Sequence, residues 1–388
     1  MTEKLFYEDS HMITFSAIVE ACVKRGEYYE AVLNRTAFFP EGGGQYADTG
    51  VIGGESVLDV QEREGIIYHK MKTPLEAGQT VEGAIDWEER FSKMQQHSGE
   101  HIVSGLVNAM YGYDNVGFHM GRDAITMDFS GVLSKEQLKE IEQKANEAVV
   151  KNLDIEVLYP SKEELTDMAY RSKIEIEGQV RIVRVPGYDT CACCAPHVKK
   201  TGEIGLIKLI GVQNYKGGVR VSMLCGFRAI ADYEEKAESV KRISVMLSAK
   251  EAEVAEEVLK LKEEIASQKG KLIEMQRTLL KYKVNEIPEN QDLVILFESG
   301  LEGSEPRELM NLVLEKKAEV AAVFAGNDDK GYRYVMGSKT RDMRPFAKTL
   351  NELFQGRGGG KPEMVQGSLC GEEEKIREAV KACKEKAF

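Results

Sequence analysis

Two short motifs carry residue types that hold a transition metal. His97-Ser-Gly-Glu-His101 reads H-x-x-x-H, and Cys193-Cys-Ala-Pro-His197 reads C-x-x-x-H. Imidazole nitrogen and thiolate sulfur are the ligands a tetrahedral zinc ion prefers. Three of the chain's six histidines lie in these two motifs. Zn2+ is the expected cofactor, with His97, His101, Cys193 and His197 as its ligands. Cys191 and Cys194 form a C-x-x-C of their own, so either can replace Cys193 or serve a second metal.

The first motif has a rival reading. His97-Ser-Gly-Glu-His101 is also H-x-x-E-H, the inverted zinc-peptidase pattern, in which Glu100 is the general base. That class completes its shell with a carboxylate, whereas here the partner motif is C-x-x-x-H. Two glycine runs offer further chemistry. In Phe39-Pro-Glu-Gly-Gly-Gly-Gln45, three glycines let the backbone approach something closely. Gly356-Arg-Gly-Gly-Gly-Lys361 is not a phosphate-binding Walker sequence, because Pro362 follows the lysine. Backbone N–H groups beside Arg357 and Lys361 remain a possible phosphate cradle.

The elements that position these residues follow from periodicity. Before about Asp86 the chain reads as short strands and turns (Met12–Val23, Tyr28–Leu33, Val57–Val60, Ile66–His69), which suggests a small antiparallel β-barrel or sandwich. From Asp86 to Tyr111, apolar residues at Phe91, Met94, Ile102, Leu106 and Met110 mark a helix. On it His97 and His101 sit one turn apart on one side. A strand at Ala124–Phe129 precedes a helix at Ser134–Asn152, opened by a capping box of Ser134 and Gln137. The strand Val180–Val185 delivers the chain to Cys191–His197, and Ile204–Val212 and Gly218–Leu224 read as strands.

A long helix without proline runs from Ala231 to Tyr282. Its heptads place Ser244, Glu251, Val258, Ile265, Leu272 and Leu279 at a, and Val240, Leu247, Val254, Leu261, Gln268, Met275 and Tyr282 at d. The seam is polar early and apolar from Val258 on. The remainder alternates strands and helices. The expected class is α+β, in four parts: a β-barrel-like domain over 1–86, a zinc-binding domain over 87–230, a helical, coiled-coil linker over 231–287, and an α/β domain over 288–388.

Composition sets the outer limits. The chain has 388 residues, 42% hydrophobic and 30% charged, as soluble multidomain proteins do. No apolar run is long enough to span a bilayer and no signal pattern opens the chain, so a cytoplasmic location is expected and no membrane partner. Seven cysteines, three of them crowded into positions 191–194, suit a thiolate site better than a disulfide framework. The net charge of −12 argues against general nucleic-acid affinity. Basic stretches at 199–228 and 339–361 nevertheless leave room for a phosphate-bearing partner.

Taken together the motifs resemble the AlaX proteins, free-standing relatives of the editing domain of alanyl-tRNA synthetase. Asn34 to Gly50 resembles the family's glycine-rich segment, Met94 to His101 its first zinc motif, and Cys193 to Gly205 its second. Gly358-Gly-Gly-Lys361 through Gly367 resembles the motif of the synthetase's C-terminal domain. One departure is Cys-Ala-Pro between Cys193 and His197, where many relatives carry Gly-Gly-Thr.

The resemblance implies a hydrolase that removes serine or glycine from mischarged alanine tRNA at a zinc site. A pocket that admits alanine cannot exclude glycine by size, and rejects an added hydroxyl only about a hundredfold. With no aminoacylation domain before Met1, the chain is expected to edit without charging. Gln45, with Gly42, Gly43 and Gly44, is implied to line the amino-acid pocket, and His119 to help shape it, alongside Glu100. Arg357, Gly358, Gly359, Gly360 and Lys361 are implied to grip the tRNA. A homodimer through the long helix and C-terminal domain is expected. Two other outcomes stay open: a zinc peptidase using Glu100, and a tRNA-binding protein with a purely structural metal.

Overall fold

The computed structural model describes residues 1–121, 123–172 and 178–387. The chain is a mixed α/β protein with several sheets, in two compact units, Met1–Met246 and Leu247–Phe388.

In the first unit, six strands close into a barrel with all neighbours antiparallel. Their order is Thr14–Arg25, Tyr28–Leu33, Ile66–Met71, Glu55–Arg63, Gly50–Ile52 and Thr80–Ile85. Side chains alternate along each strand. Ile67, His69 and Met71 therefore point inward from one strand, and Val81 and Ile85 from another. Phe38 and Phe39, just before the first glycine run, complete this core.

The chain then enters the helix Trp87–Tyr111, called the site helix below. The Asp86 carboxylate accepts the Glu89 N–H at 3.1 Å and caps its start. Gly112, at φ 68°, ends it with its N–H donating to Asn108. Met94, Ile102, Val103, Leu106 and Val107 pack on a four-stranded antiparallel sheet. That sheet runs Ile207–Tyr215, Gly218–Cys225, Ile125–Phe129, Asn115–Met120. Polar residues in the middle of the helix, His97 and His101 among them, are buried as well. The helix Lys135–Lys151 carries the capping box of Ser134 and Gln137. A small sheet of Glu156–Leu158, Ile182–Val185 and Asp189–Ala192 leads into the second motif.

The second unit holds a five-stranded sheet: Gln291–Glu298 parallel to Ala318–Asn327, then Gly331–Ser338, Met364–Leu369 and Arg357–Lys361 antiparallel. Both faces are covered. Val320, Ala322 and Phe324 face one core, and Ala321 and Val323 face the other.

Two elements differ from the sequence expectation. The single helix Ala231–Tyr282 is instead two, Gly226–Leu247 and Val254–Glu286. Ser248 turns left-handed at φ 52° between them, where the seam residues Ser244 and Glu251 are polar and hold no apolar packing. The second glycine run is not a loop but the edge strand Arg357–Lys361. Its closeness to the next strand favours glycine: a Cβ on Gly358 would lie 2.4 Å from the Gln366 carbonyl oxygen.

Candidate metal centre

The site helix sets two imidazoles one turn apart, with ring centroids 5.5 Å from each other. Their counterparts stand on the loop that follows the strand Asp189–Ala192. Arg181 shapes that loop: its guanidinium donates to the carbonyls of Cys193 at 2.8 Å and Ala195 at 2.9 Å. The Cys193 N–H donates back to the Arg181 carbonyl. The result is convergence. The His197 ring lies 4.8 Å from that of His97 and 4.7 Å from that of His101. The Cys193 sulfur is 3.5 Å from His97 Nε2 and 3.4 Å from His197 Nε2. One ligand atom from each of the four residues falls within 4.8 Å of all the others. A tetrahedral zinc with ordinary bond lengths holds its ligand atoms about 3.3–3.8 Å apart. The donor set fits.

Each imidazole also has its second nitrogen engaged. His97 Nδ1 donates to Gln45 Oε1 at 3.0 Å and His101 Nδ1 to Asp189 Oδ2 at 2.8 Å, while His197 Nδ1 and Ser98 Oγ share a hydrogen bond of 3.1 Å. All three rings therefore turn Nε2 inward, as metal-binding histidines do. Burial pushes the His197 imidazole down to about 3, so it is neutral. Burial would raise the Cys193 thiol, but the neighbouring His97 and His197 rings outweigh it and hold the thiol well below its usual range. A neutral imidazole and a thiolate are the forms that ligate.

The three cysteines separate. Cys193 joins the imidazoles. Cys191 is buried beside Asp189 and His101, and burial raises its thiol. Cys194 is exposed, its sulfur facing the first glycine run.

Glu100 is buried. Its Oε1 accepts from Ser104 Oγ at 2.7 Å and Asn115 Nδ2 at 2.6 Å, while Oε2 lies 4.0 Å from His101 Nε2. The first glycine run is folded down on the cluster. A Cβ on Gly43 would stand 3.2 Å from the Cys194 sulfur, and one on Gly44 only 2.7 Å from the Phe118 ring. Both glycines have left-handed φ, 60° and 82°. Gly42 pairs with Gln45 across the turn. Gln45 is buried, and among the described residues its Nε2 has no hydrogen-bond partner. The run is anchored behind by Asp48, whose carboxylate accepts from the Phe39 N–H and from the buried Arg90 guanidinium.

His119 is exposed on its strand, its ring 6.1 Å from that of Tyr46. The preceding residue, Phe118, reaches the cluster instead, 4.9 Å from the His97 ring. Strand alternation explains the exchange. Arg357, Gly358, Gly359, Gly360 and Lys361 belong to the other unit, on an exposed edge strand. Gly359, Gly360 and Lys361 line a cavity of about 850 Å³ together with Arg307, Lys339 and Met310. Asp189, Ser98, Arg181 and Phe118 carry no spacing signal toward the motifs. Of these, only Phe118 was within reach of a strand-period argument.

Residues 2–89 match a family model described as tRNA synthetases class II (A). Residues 180–244 match the threonyl and alanyl tRNA synthetase second additional domain, and 290–387 the DHHA1 domain. The chain is 26% identical to an alanyl-tRNA editing protein, AlaX-L, of Pyrococcus horikoshii, over 97% of this chain and 96% of that relative. It is 31% identical to an alanine–tRNA ligase of Pyrococcus furiosus, over 99% of this chain but 43% of the ligase. A solved C-Ala domain of Aquifex aeolicus alanyl-tRNA synthetase aligns with 26% of this chain and 96% of its own, at 26% identity and a TM-score of 0.22.

Proposed function

We propose that the chain is a member of the AlaX family of alanyl-tRNA editing proteins, one of which it matches at 26% identity over 97% of its length, and that it is a zinc-dependent deacylase acting on mischarged alanine tRNA, releasing serine or glycine. One observation carries the reading: four ligand atoms of zinc-preferring type meet in a buried cluster, with every imidazole already held through its other nitrogen. His97, His101, Cys193 and His197 hold the ion. Zinc bound there supplies a Lewis acid for an ester carbonyl and acidifies a water.

The remaining steps fall to the chain's own side chains. Gln45 Nε2, a buried donor without a partner among the described residues, donates to the amino-acid moiety, and a serine hydroxyl is the acceptor that suits it. The Glu100 carboxylate, fixed by Ser104 and Asn115, takes the proton of the attacking water. Water adds to the ester carbon, the bond to the ribose oxygen breaks, and that oxygen leaves as a hydroxyl after receiving a proton. Phe118 and the glycine run narrow the space for the amino acid. In the second unit, Lys361 and the bare backbone of Gly358–Gly360, with Arg357, contact tRNA phosphates. Helix Val254–Glu286 leaves Val258, Leu261, Ile265, Leu272, Met275, Leu279 and Tyr282 exposed at the a and d positions, which supports a homodimer paired along this seam. No helix among the described residues is long and apolar enough to cross a membrane.

The test is deacylation of seryl- and glycyl-tRNA for alanine. Release is expected from the native protein and is lost in Cys193→Ala, whereas Cys191→Ala and Cys194→Ala keep both zinc and activity. A zinc-loaded native protein that leaves both substrates intact overturns the reading. The buried Glu100 also suits a peptidase; cleavage of unstructured peptides, abolished in Glu100→Gln with zinc retained, would select that alternative.

A further inference from the structure

Of the three imidazoles in the cluster, only His101 is backed by a charge. Its Nδ1 donates to Asp189 Oδ2 at 2.8 Å, whereas His97 and His197 meet a neutral amide oxygen and a hydroxyl. Asp189 does not act alone. The Arg171 guanidinium grips it from the far side, Nε to Oδ1 at 2.7 Å and Nη2 to Oδ2 at 2.8 Å. Arg171 is in turn seated by its backbone. Its N–H donates to the Thr190 carbonyl, and its own carbonyl accepts from the Ala192 N–H. His101 and Asp189 have side chains 2% exposed, and that of Arg171 is 17% exposed.

The approach of Asp189 to the helix depends on a residue that touches no ligand. Gly105 lies one turn beyond His101 on the site helix. A Cβ there would stand 2.2 Å from the Tyr188 carbonyl oxygen and 2.8 Å from Asp189 Cβ. His97, His101 and Gly105 thus form one row along the helix at four-residue spacing. The first two residues carry ligand nitrogens, and the third is the gap through which the carboxylate arrives.

We propose that Asp189, braced by Arg171 and admitted by Gly105, is the positioning residue that fixes His101 for the metal and sets how tightly zinc is held. The inference rests on the zinc reading above and deepens it. A carboxylate behind a ligating histidine locks the tautomer with Nε2 free and makes that nitrogen a stronger donor. Arg171 keeps the carboxylate aimed at His101 through its two hydrogen bonds. The same residues admit a rival: His101, Asp189 and Cys191 lie within 4.8 Å of one another and could hold a second ion. The geometry disfavours it. Both Asp189 oxygens are already taken by Arg171 and His101.

The experiment is zinc affinity by chelator competition on the full chain without tRNA, with metal stoichiometry and thermal unfolding of the chelated protein measured alongside. Asp189→Asn keeps size and an acceptor oxygen but removes the charge. It is expected to weaken zinc binding about 10–100-fold with one equivalent of metal bound before and after. Gly105→Ala is expected to weaken binding in the same direction. If Asp189→Asn folds less stably but binds zinc as tightly as the native chain, the residue is structural and the proposal fails. If the native chain binds two equivalents and the variant one, the rival second site is correct and the proposal fails. A native chain that binds no zinc overturns the zinc reading itself. A tight-binding native chain with an unchanged Asp189→Asn overturns only this inference.

Discussion

His69 sits inside the barrel with no charged partner. Its Nε2 meets the Thr36 hydroxyl at 2.9 Å, and its Nδ1 faces the Ala31 carbonyl at 3.1 Å. Burial pushes its pKa down to about 4. The ordinary value in an unfolded chain is about 6.5, so protons bind the unfolded state first. The stability held by neutral His69 is complete above about pH 6.5 and drains as pH falls toward 4. Between pH 7.5 and pH 5 the loss is about 2 kcal/mol. Urea unfolding at these two pH values should show that loss in the native chain and a clearly smaller one in His69→Gln. At this scale the sequence disclosed the four residues that converge but not what orients them. His97 and His101 share a helix face, so spacing alone pairs them. Asp189 and Ser98 are as near to the rings as any ligand, yet no interval marks them. Asp189 reaches His101 because its strand packs closely on the helix at Gly105, and Ser98 is distinguished from other helical serines only by the return of His197.

The site helix shows why an element can be read while its surroundings stay hidden. Its period was legible, because apolar spacing acts locally. The burial of its polar side was not, because the barrel and the glycine run supply the cover. Arg90 demonstrates the coupling. It is fully buried on the helix and holds Asp48, whose other contact is the Phe39 N–H at the head of the glycine run. Asp48→Ala strands that guanidinium. Breaking a buried pair from one side costs about 3–5 kcal/mol, so the thermal midpoint should fall by several degrees. Because the run also carries Gln45, deacylation should fall further than stability explains, measured well below the new midpoint. Equal activity per folded molecule would show that the anchor does not reach the pocket. The helix from Ala231 illustrates the opposite error. Heptad counting sees no reason to stop at Ser248, since a turn of φ 52° needs only a few residues of weak packing.

For the whole molecule, class and motif order were legible, and each of the two units holds two cores of its own. The apolar seam of Val254–Glu286 is exposed within its own unit. Leu272→Glu with Leu279→Glu should convert a dimer to a monomer in sedimentation equilibrium and leave the zinc content unchanged. A native chain that is monomeric at high concentration would dismiss pairing along this helix.

The cluster draws its nitrogens and its sulfur from places 96 residues apart in the chain. An ion seated there is a rivet between the helix and the loop that Arg181 shapes, closing a long circuit of backbone that includes two sheets. If the cluster holds such an ion, its removal would unfasten the Cys193–His197 segment from the helix and loosen the glycine run lying against Cys194.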